Sequence, residues 1–294
     1  MTGRAALPLV FSLALADTVN ATDAPPRLVN AQLQTRSAGA GLLPVVRGIV
    51  GSGSGPAWIG YAVPVDGGRS MCCWESVESV EHTACPGCRL EGRGAFTIGS
   101  GPGGPVNLEG DSTFVVMLRA EGGRIGRIRA VSWSCALDAG GLPVFWLEGV
   151  RPADSVRLLA SLFKDDAPAR SVIDGALLAL SVHAEPSALE ALLDAARRDV
   201  SAKVRGQALF WLSQKAGARA AAAITRAVED DPESQVRERA VFALSQLPKD
   251  DGVPRLITLA RSHHDPRVRE KAMFWLGQSD DPRALTFFED VLRR

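Results

Sequence analysis

The residues best equipped for chemistry are the five cysteines. Cys72 and Cys73 are adjacent, Cys85 and Cys88 form a C-x-x-C pair with His82 three residues ahead of it, and Cys135 stands apart. Four thiolates, or three and an imidazole, hold zinc tetrahedrally, and a C-x-x-C knuckle is a regular part of such sites. Here only one knuckle is present and the other pair is adjacent. In an oxidising compartment the same residues close disulfides instead. Two alternatives therefore stand: a zinc set drawn from His82, Cys72, Cys73, Cys85 and Cys88, or two disulfides and an odd thiol drawn from Cys72, Cys73, Cys85, Cys88 and Cys135, with the pairing open. A redox-active C-x-x-C pair is a third, without a thioredoxin-like βαβ pattern around it. Arg89 occupies the place of the histidine that haem attachment needs.

The compartment is itself readable. Arg4 precedes an apolar run from Ala5 to Ala16 that ends in Ala14-Leu15-Ala16, with Val19-Asn20-Ala21 as a second small-residue site. That layout is a secretory signal over residues 1–21, too short to span a bilayer, and no other stretch approaches a membrane span. An exported, periplasmic or extracellular protein is expected, and export favours disulfides over zinc.

Other candidate chemistry is thinner. Gly99-Ser100-Gly101-Pro102-Gly103-Gly104 matches G-x-G-x-x-G, but Pro105 and Asn107 continue a loop where a nucleotide site needs a helix. His183, His263 and His264 have no Ser or Cys motif beside them and are read as loop histidines, so no catalytic residue and no cofactor is expected. The chain holds 33 Lys+Arg against 33 Asp+Glu, and neither half carries the basic field that nucleic acid demands.

Behind these residues lie two regions of different period. Leu28 to Gln34 alternates as a first strand, Leu42 to Val50 recurs at helical spacing, and Trp58 to Val63 reads as a strand. Thr113 to Ala120, a Glu121-Gly122-Gly123 turn and Arg124 to Leu137 form a hairpin that places Cys135 on a strand, and Val144 to Leu147 is a last strand. Residues 22–150 thus predict a small α+β domain, mostly antiparallel sheet with one helix.

At Pro152 the period becomes 3.6. Asp154 or Ser155 can cap a helix carrying Val156, Leu159, Leu162 and Phe163. Then VRGQALFWLSQ at Val204, VRERAVFALSQ at Val236 and VREKAMFWLGQ at Val268 repeat at intervals of 32, preceded by a degenerate copy at Val172. Asp231-Pro232, Asp265-Pro266 and Asp281-Pro282 place a capping carboxylate before a proline at the first helical position. Second helices are expected from about Pro186, Ala218, Pro254 and Pro282. Residues 151–294 therefore predict an all-α solenoid, half a repeat plus four helix pairs, whose units bury their apolar faces only by stacking.

The D-P-x-x-x-V-R-x-x-A-x-x-x-L register of Asp231 to Leu244, with its shorter echo from Asp265 to Leu276, resembles HEAT repeats, in particular the short bacterial type found in phycobilin-lyase-like proteins. The resemblance implies a curved scaffold for a protein or peptide partner, with the second helices lining the recognition face. Equivalent positions there give a basic column, Arg219, Arg255 and Arg283, with Arg226 one row on. The column of Phe210, Phe242 and Phe274 with Trp211 and Trp275 is expected in the core between repeats. The ladder of Arg205, Arg237 and Arg269 is expected to pair with the Asp ahead of each. The functional expectation is an exported, non-enzymatic interaction scaffold; the alternative is a metal-binding or thiol-redox N-terminal module with the solenoid as docking arm.

Overall fold

The computed structural model of the 294-residue chain describes residues 24–53, 55–65, 70–73, 88–92, 96–99, 112–164, 168–215 and 217–293. The expected signal segment (residues 1–21), His82, Cys85 and most of the Gly99–Gly104 stretch lie outside these residues.

The first predicted strand is two strands, β1 (Leu28–Val29) and β2 (Gln32–Ser37), because Asn30 adopts a φ of 48°. Asparagine tolerates this left-handed conformation better than most residues, and the kink sends the two pieces into different sheets. Helix α1 (Leu42–Gly51) buries Leu42, Val46 and Ile49, as its spacing predicts. There follow β3 (Ala57–Pro64), β4 (Ser70–Cys73), β5 (Cys88–Arg89), β6 (Phe96–Gly99), β7 (Thr113–Glu121), β8 (Arg124–Ser132), β9 (Leu137–Asp138) and β10 (Pro143–Glu148). Gly122 and Gly123, with φ of 58° and 74°, make the two-residue turn between β7 and β8 that only glycine enters without strain. Strand β8 stops at Ser132, so Cys135 lies in the turn that follows rather than on a strand.

The main sheet runs β2-β10-β3-β7-β8. Its β3, β7 and β8 are antiparallel as expected, while β10 slots between β2 and β3 and runs parallel to both. Strand β3 is buried from Ala57 through Val63, which is why it reads as a continuous apolar run rather than an alternating one. On one face Trp58, Val115, Met117, Val131 and Trp146 meet Cys88, Leu90, Cys135 and Leu137 under the three-stranded sheet β1-β9-β5. On the other, Ile59, Tyr61, Val63, Phe114, Val116 and Leu118 meet helices.

Those helices are α1 and the first two of the solenoid. The helical half comprises α2 (Pro152–Leu162), α3 (Arg170–Val182), α4 (Ser187–Arg198), α5 (Ala202–Lys215), α6 (Ala218–Asp230), α7 (Ser234–Ser245), α8 (Lys249–Ser262), α9 (Pro266–Gly277) and α10 (Pro282–Leu292). This is the predicted half repeat followed by helix pairs. Helix α2 begins at Pro152, one position after Arg151, so Asp154 and Ser155 are not caps. Asp154 is instead ion-paired with Arg151 and Arg157, and the Ser155 hydroxyl hydrogen-bonds the Tyr61 hydroxyl of β3 at 3.2 Å. Asp265 and Asp281 cap α9 and α10 by accepting from Arg267 N and Arg283 N, each at 2.9 Å. Asp231 does not cap α7, which starts three residues later at Ser234; it closes α6. Pro254 lies inside α8, whose acidic first turn at Asp250 and Asp251 marks the true start.

The apolar core is continuous across the change of period. Helix α3 crosses β8 so closely that a Cβ on Gly175 would sit 2.4 Å from the Ile128 carbonyl oxygen, and Ser171 Oγ donates to Gly126 O at 2.8 Å. His183, just after α3, is fully buried against the edge of Phe114, bridges Val65, and gives its carbonyl to Lys215 Nζ at 3.0 Å. A cut between residues 150 and 151 would therefore strip one face of the sheet.

His183 makes this junction sensitive to acid. Burial, and then the Lys215 ammonium, push its pKa down to about 4. Above the unfolded value of about 6.5 both states are neutral and its contribution is intact. As the pH falls toward the folded value, only the unfolded chain takes up the proton, so stability declines through that window, by about 2 kcal/mol at pH 5. Urea titrations between pH 7.5 and 5 should show this decline. His183→Asn, which retains an acceptor for Glu185 N, should flatten it, and an equally steep wild-type profile in the variant would contradict the assignment.

Candidate functional site

Successive repeats are locked by an arginine clamp. Arg205 Nε and Nη2 reach both oxygens of Asp231 at 2.8 and 2.9 Å, and Arg237 Nη2 reaches Asp265 Oδ2 at 3.0 Å. The expected pairing with the preceding Asp is thus corrected: each carboxylate belongs to the loop that opens the next repeat. Backward, each arginine donates to the carbonyl six residues earlier, Arg205 to Asp199, Arg237 to Asp231 and Arg269 to His263, at 3.0, 2.8 and 2.7 Å. One side chain therefore satisfies a helix-end carbonyl and holds two repeats together.

The aromatic column does stack from repeat to repeat, but beside the core rather than in it. Phe210 and Phe242 lie parallel at 6.0 Å, Phe242 meets Trp275 at 4.8 Å, and Phe274 is 54% exposed. The space between repeats is filled instead by Val204, Ala208, Leu212 and their counterparts, all buried. A column of like residues in sequence shows that side chains neighbour one another along the stack, without showing which side of the helix is wet.

First helices pack on one another far more extensively than second helices do. The second helices are splayed, and between α4 and α6 they leave a groove of about 980 Å³. It is lined by Glu190, Asp194, Arg197, Arg198, Arg219 and Arg226, with the Arg205–Asp231 clamp at its end. The predicted basic column divides here. Arg219 is held by both oxygens of Glu190, at 2.5 and 2.9 Å; Arg255 is tied to Asp251, and Arg283 to Asp281 and Asp250. At Arg219 and Arg283 the carboxylate favours the charged guanidinium, more strongly at Arg283, where Asp281 sits at the helix cap. Among the described residues Arg226 makes no hydrogen bond or ion pair, and neither does Arg197 on α4. Arg197 falls outside both sequence rows; only the splaying of α4 from α6 brings it to Arg226 across one groove.

His183 and His263 are not loop histidines in solvent: both are buried, and each closes a helix with its ring turned inward. In both, Nδ1 accepts a backbone N–H two residues on, from Glu185 and Asp265. Asp199 and Asp231 do the same with a carboxylate, for Ser201 and Glu233. At the ends of the second helices, 32 residues apart, the acceptor is Asp199, Asp231 and then His263, whereas His183 ends a first helix. Glu229, His263 and His264 bring ligand atoms within 4.8 Å of one another, the reach of a metal site. The polarity is wrong for a metal. With Nδ1 accepting from Asp265 N, the proton sits on Nε2, which lies 3.3 Å from Glu229 Oε2 without forming a hydrogen bond. A metal-bound imidazole has the reverse arrangement, Nδ1–H donating outward. The cluster joins the ends of α6 and α8.

Of the cysteines, Cys72 and Cys73 lie on β4. Cys88 and Cys135 are buried in one apolar cluster, and Cys88 N donates to Ala136 O at 2.8 Å, immediately beside Cys135. No sequence pattern links these two, which are separated by a whole hairpin.

The clamp and the surface pairs should separate on mutation. Arg205 and Asp231 side chains are only 10% and 6% exposed, so Arg205→Ala leaves a desolvated carboxylate and an open carbonyl. It should cost roughly 3 kcal/mol, the lower part of the range for breaking a buried pair. Arg219→Ala, at an exposed pair, should leave the chemical-denaturation midpoint where it is. Equal midpoints for the two variants would show that the clamp does not hold the repeats.

Compared with known proteins, residues 219–294 match the family of HEAT repeats. No curated protein matches the chain. Among solved structures, the complex of CpcE and CpcF of phycocyanin lyase from Nostoc sp. PCC7120 is similar at 24% identity over 44% of this chain and 86% of that chain, with a TM-score of 0.31. A superposition that loose bears on neither the fold nor the activity of this chain. The 32-residue period, the Asp-Pro caps of α9 and α10 and the arginine clamp agree with the family match, and together they support HEAT repeats in the helical half of the chain.

Proposed function

We propose that this chain is an exported, non-catalytic recognition protein whose solenoid binds a protein segment in the groove between α4 and α6. The observation that carries this reading is the pair of guanidiniums, Arg197 and Arg226, exposed and unpaired in a groove where Arg198, Arg205 and Arg219 are all engaged by carboxylates. Unpaired cations in a preformed concavity favour a carboxylate-bearing segment: charge speeds the encounter, and the rigid walls lower the ordering cost of binding. In capture from the envelope or secreted fraction of the source, wild-type chain should retain a partner that Arg197→Glu with Arg226→Glu retains at least about tenfold less. Neither residue supports the fold, so the circular dichroism of the variant should be unchanged. Capture undiminished in a folded variant would rule the groove out.

We infer further that Cys88 and Cys135 are cross-linked to each other. Supporting this are the burial of both, at 2% and 0% exposure, in one apolar cluster and the backbone contact beside them. Such a bond would fasten the β1-β9-β5 cover over the second face of the main sheet, a structural task that favours this reading over a thiol-redox module, and it would agree with export. Non-reducing digestion of secreted material should yield a Cys88 peptide joined to a Cys135 peptide; both recovered as free thiols would defeat this inference and weaken the case for an oxidising compartment.

A further inference from the structure

Neighbouring second helices are bridged by charge in a fixed register. Glu190 of α4 and Arg219 of α6 stand 29 residues apart in sequence and pair at 2.5 and 2.9 Å. Arg261 of α8 and Asp290 of α10 have the same separation of 29 and pair at 3.2 Å. Arg197 of α4 and Arg226 of α6 are also 29 apart. They lie seven residues beyond Glu190 and Arg219 on the same two helices. Seven residues are two turns, so this second rung spans the same facing sides as the first. In steps of 32, Arg197 matches Arg261 two repeats on, and Arg226 matches Asp290. The rung that joins a guanidinium to a carboxylate between α8 and α10 therefore sets two guanidiniums opposite each other between α4 and α6.

Like charges on one rung repel, and the carboxylates lining the groove do not relieve them. Glu190 is held by Arg219, Asp194 by Lys164 and Arg198, and Asp231 by Arg205, while Asp199 accepts from Ser201 N. Asp230, one turn beyond Arg226 on α6, makes no ion pair with it among the described residues. The chain shows elsewhere what completes such a pair. On α2 a single carboxylate, Asp154, stands between two arginines: Arg151 Nε donates to Oδ2 at 2.8 Å, and Arg157 Nη2 donates to Oδ1. Each oxygen serves one guanidinium through a charge-assisted hydrogen bond. Between the two rungs of the groove lie Leu193, Ala222 and Ala223, an apolar floor for the methylenes of an incoming acidic side chain.

We propose that Arg197 and Arg226 form a clip for one acidic side chain of the partner segment, an aspartate or glutamate whose two carboxylate oxygens each accept from one arginine. This rests on the reading of the groove as a recognition site and specifies its anchor. The two arginines hold a shared group, so they act as one unit rather than as two separate attractions.

The probe is a terminally blocked, alanine-rich peptide carrying one glutamate, titrated into isotope-labelled full-length chain. The side-chain Nε–H resonances of the two arginines, assigned with Arg197→Lys and Arg226→Lys, report binding. Both should move on one binding curve, and the same peptide with glutamine in place of glutamate should move neither. Arg197→Gln or Arg226→Gln alone should weaken the glutamate peptide at least about fivefold, and the two together little further, since a shared group makes their effects non-additive. Arg226→Asp rebuilds the Arg261–Asp290 rung within the chain and should abolish binding with unchanged circular dichroism. Separate curves for the two arginines, additive losses, or an equal response to the glutamine peptide would each overturn the clip. If partner capture still depends on both arginines in that event, the groove stands as the recognition site and only the shared carboxylate is lost; capture independent of both overturns the two readings together.

Discussion

The rest of the molecule depends on one close approach, that of α3 to β8 at Gly175. Because no side chain stands there, the helix lies directly on the strand, with the position a Cβ would take only 2.4 Å from the Ile128 carbonyl oxygen. Alanine would gain about 1 kcal/mol in helix propensity, but a carbonyl oxygen is fixed in its sheet and does not yield as a flexible side chain would. The glycine is therefore kept for contact. Through it the first face of the sheet acquires its cover, and the solenoid acquires a fixed first unit on which later repeats stack. Tyr61 shows the same dependence: its hydroxyl is buried under α2, held un-ionised by that burial, and finds its partner in Ser155 of the helix.

From that fixed unit the array propagates by two devices of different kind. Apolar residues at Val204, Ala208 and Leu212 and their counterparts supply most of the attraction, which is non-directional and would tolerate some sliding of one repeat over the next. The arginine clamp supplies direction. It reaches backward to a carbonyl and forward to a carboxylate, and a guanidinium is suited to both at once because its donors are held in a planar fork. Arg269 retains only the backward half of the pattern, to the His263 and His264 carbonyls. Along the stack, polar contacts are thus consumed in setting register, which explains why so many of the charges that look available in sequence are already engaged.

Much of this was legible in sequence wherever a local rule and a periodic one agreed. The hairpin at Gly122-Gly123, the α1 spacing and the caps at Asp265 and Asp281 each state their geometry within a few residues. Where the two rules competed, the reading failed for identifiable reasons. Pro254 mimics a helix start, but the acidic turn at Asp250 and Asp251 begins α8 earlier. Asp231 sits before a proline yet closes the helix behind it, since its carboxylate is taken by the clamp from Arg205. Asn30 divides a strand that alternates without a break. The candidate site was less legible still. Arg219 and Arg283 stand two steps of 32 apart, but Asp251 holds the position between them, and Arg255 joined the row only through the misread start of α8; each of the three is engaged by a carboxylate. Arg197 and Arg226 are irregular in sequence, and their common groove is a property of how far apart α4 and α6 stand.

The first and last described helices of the solenoid bury their apolar residues to different extents. At its start the apolar surface of α2 and α3 is absorbed into the sheet, so the first unit is finished within the chain. At α10 Leu285 and Leu292 are exposed, although their counterparts one repeat before, Val253 and Ala260, are buried. An exposed apolar side chain brings the chain little stability, since it stays in contact with water. The same reasoning accounts for the half-exposed rings of Phe242 and Trp275, which recover part of their burial from each other along the stack. Leu285 and Leu292 have no such neighbour on α10 beyond Phe288, so among the described residues the apolar surface they carry adds little to the cohesion of the stack.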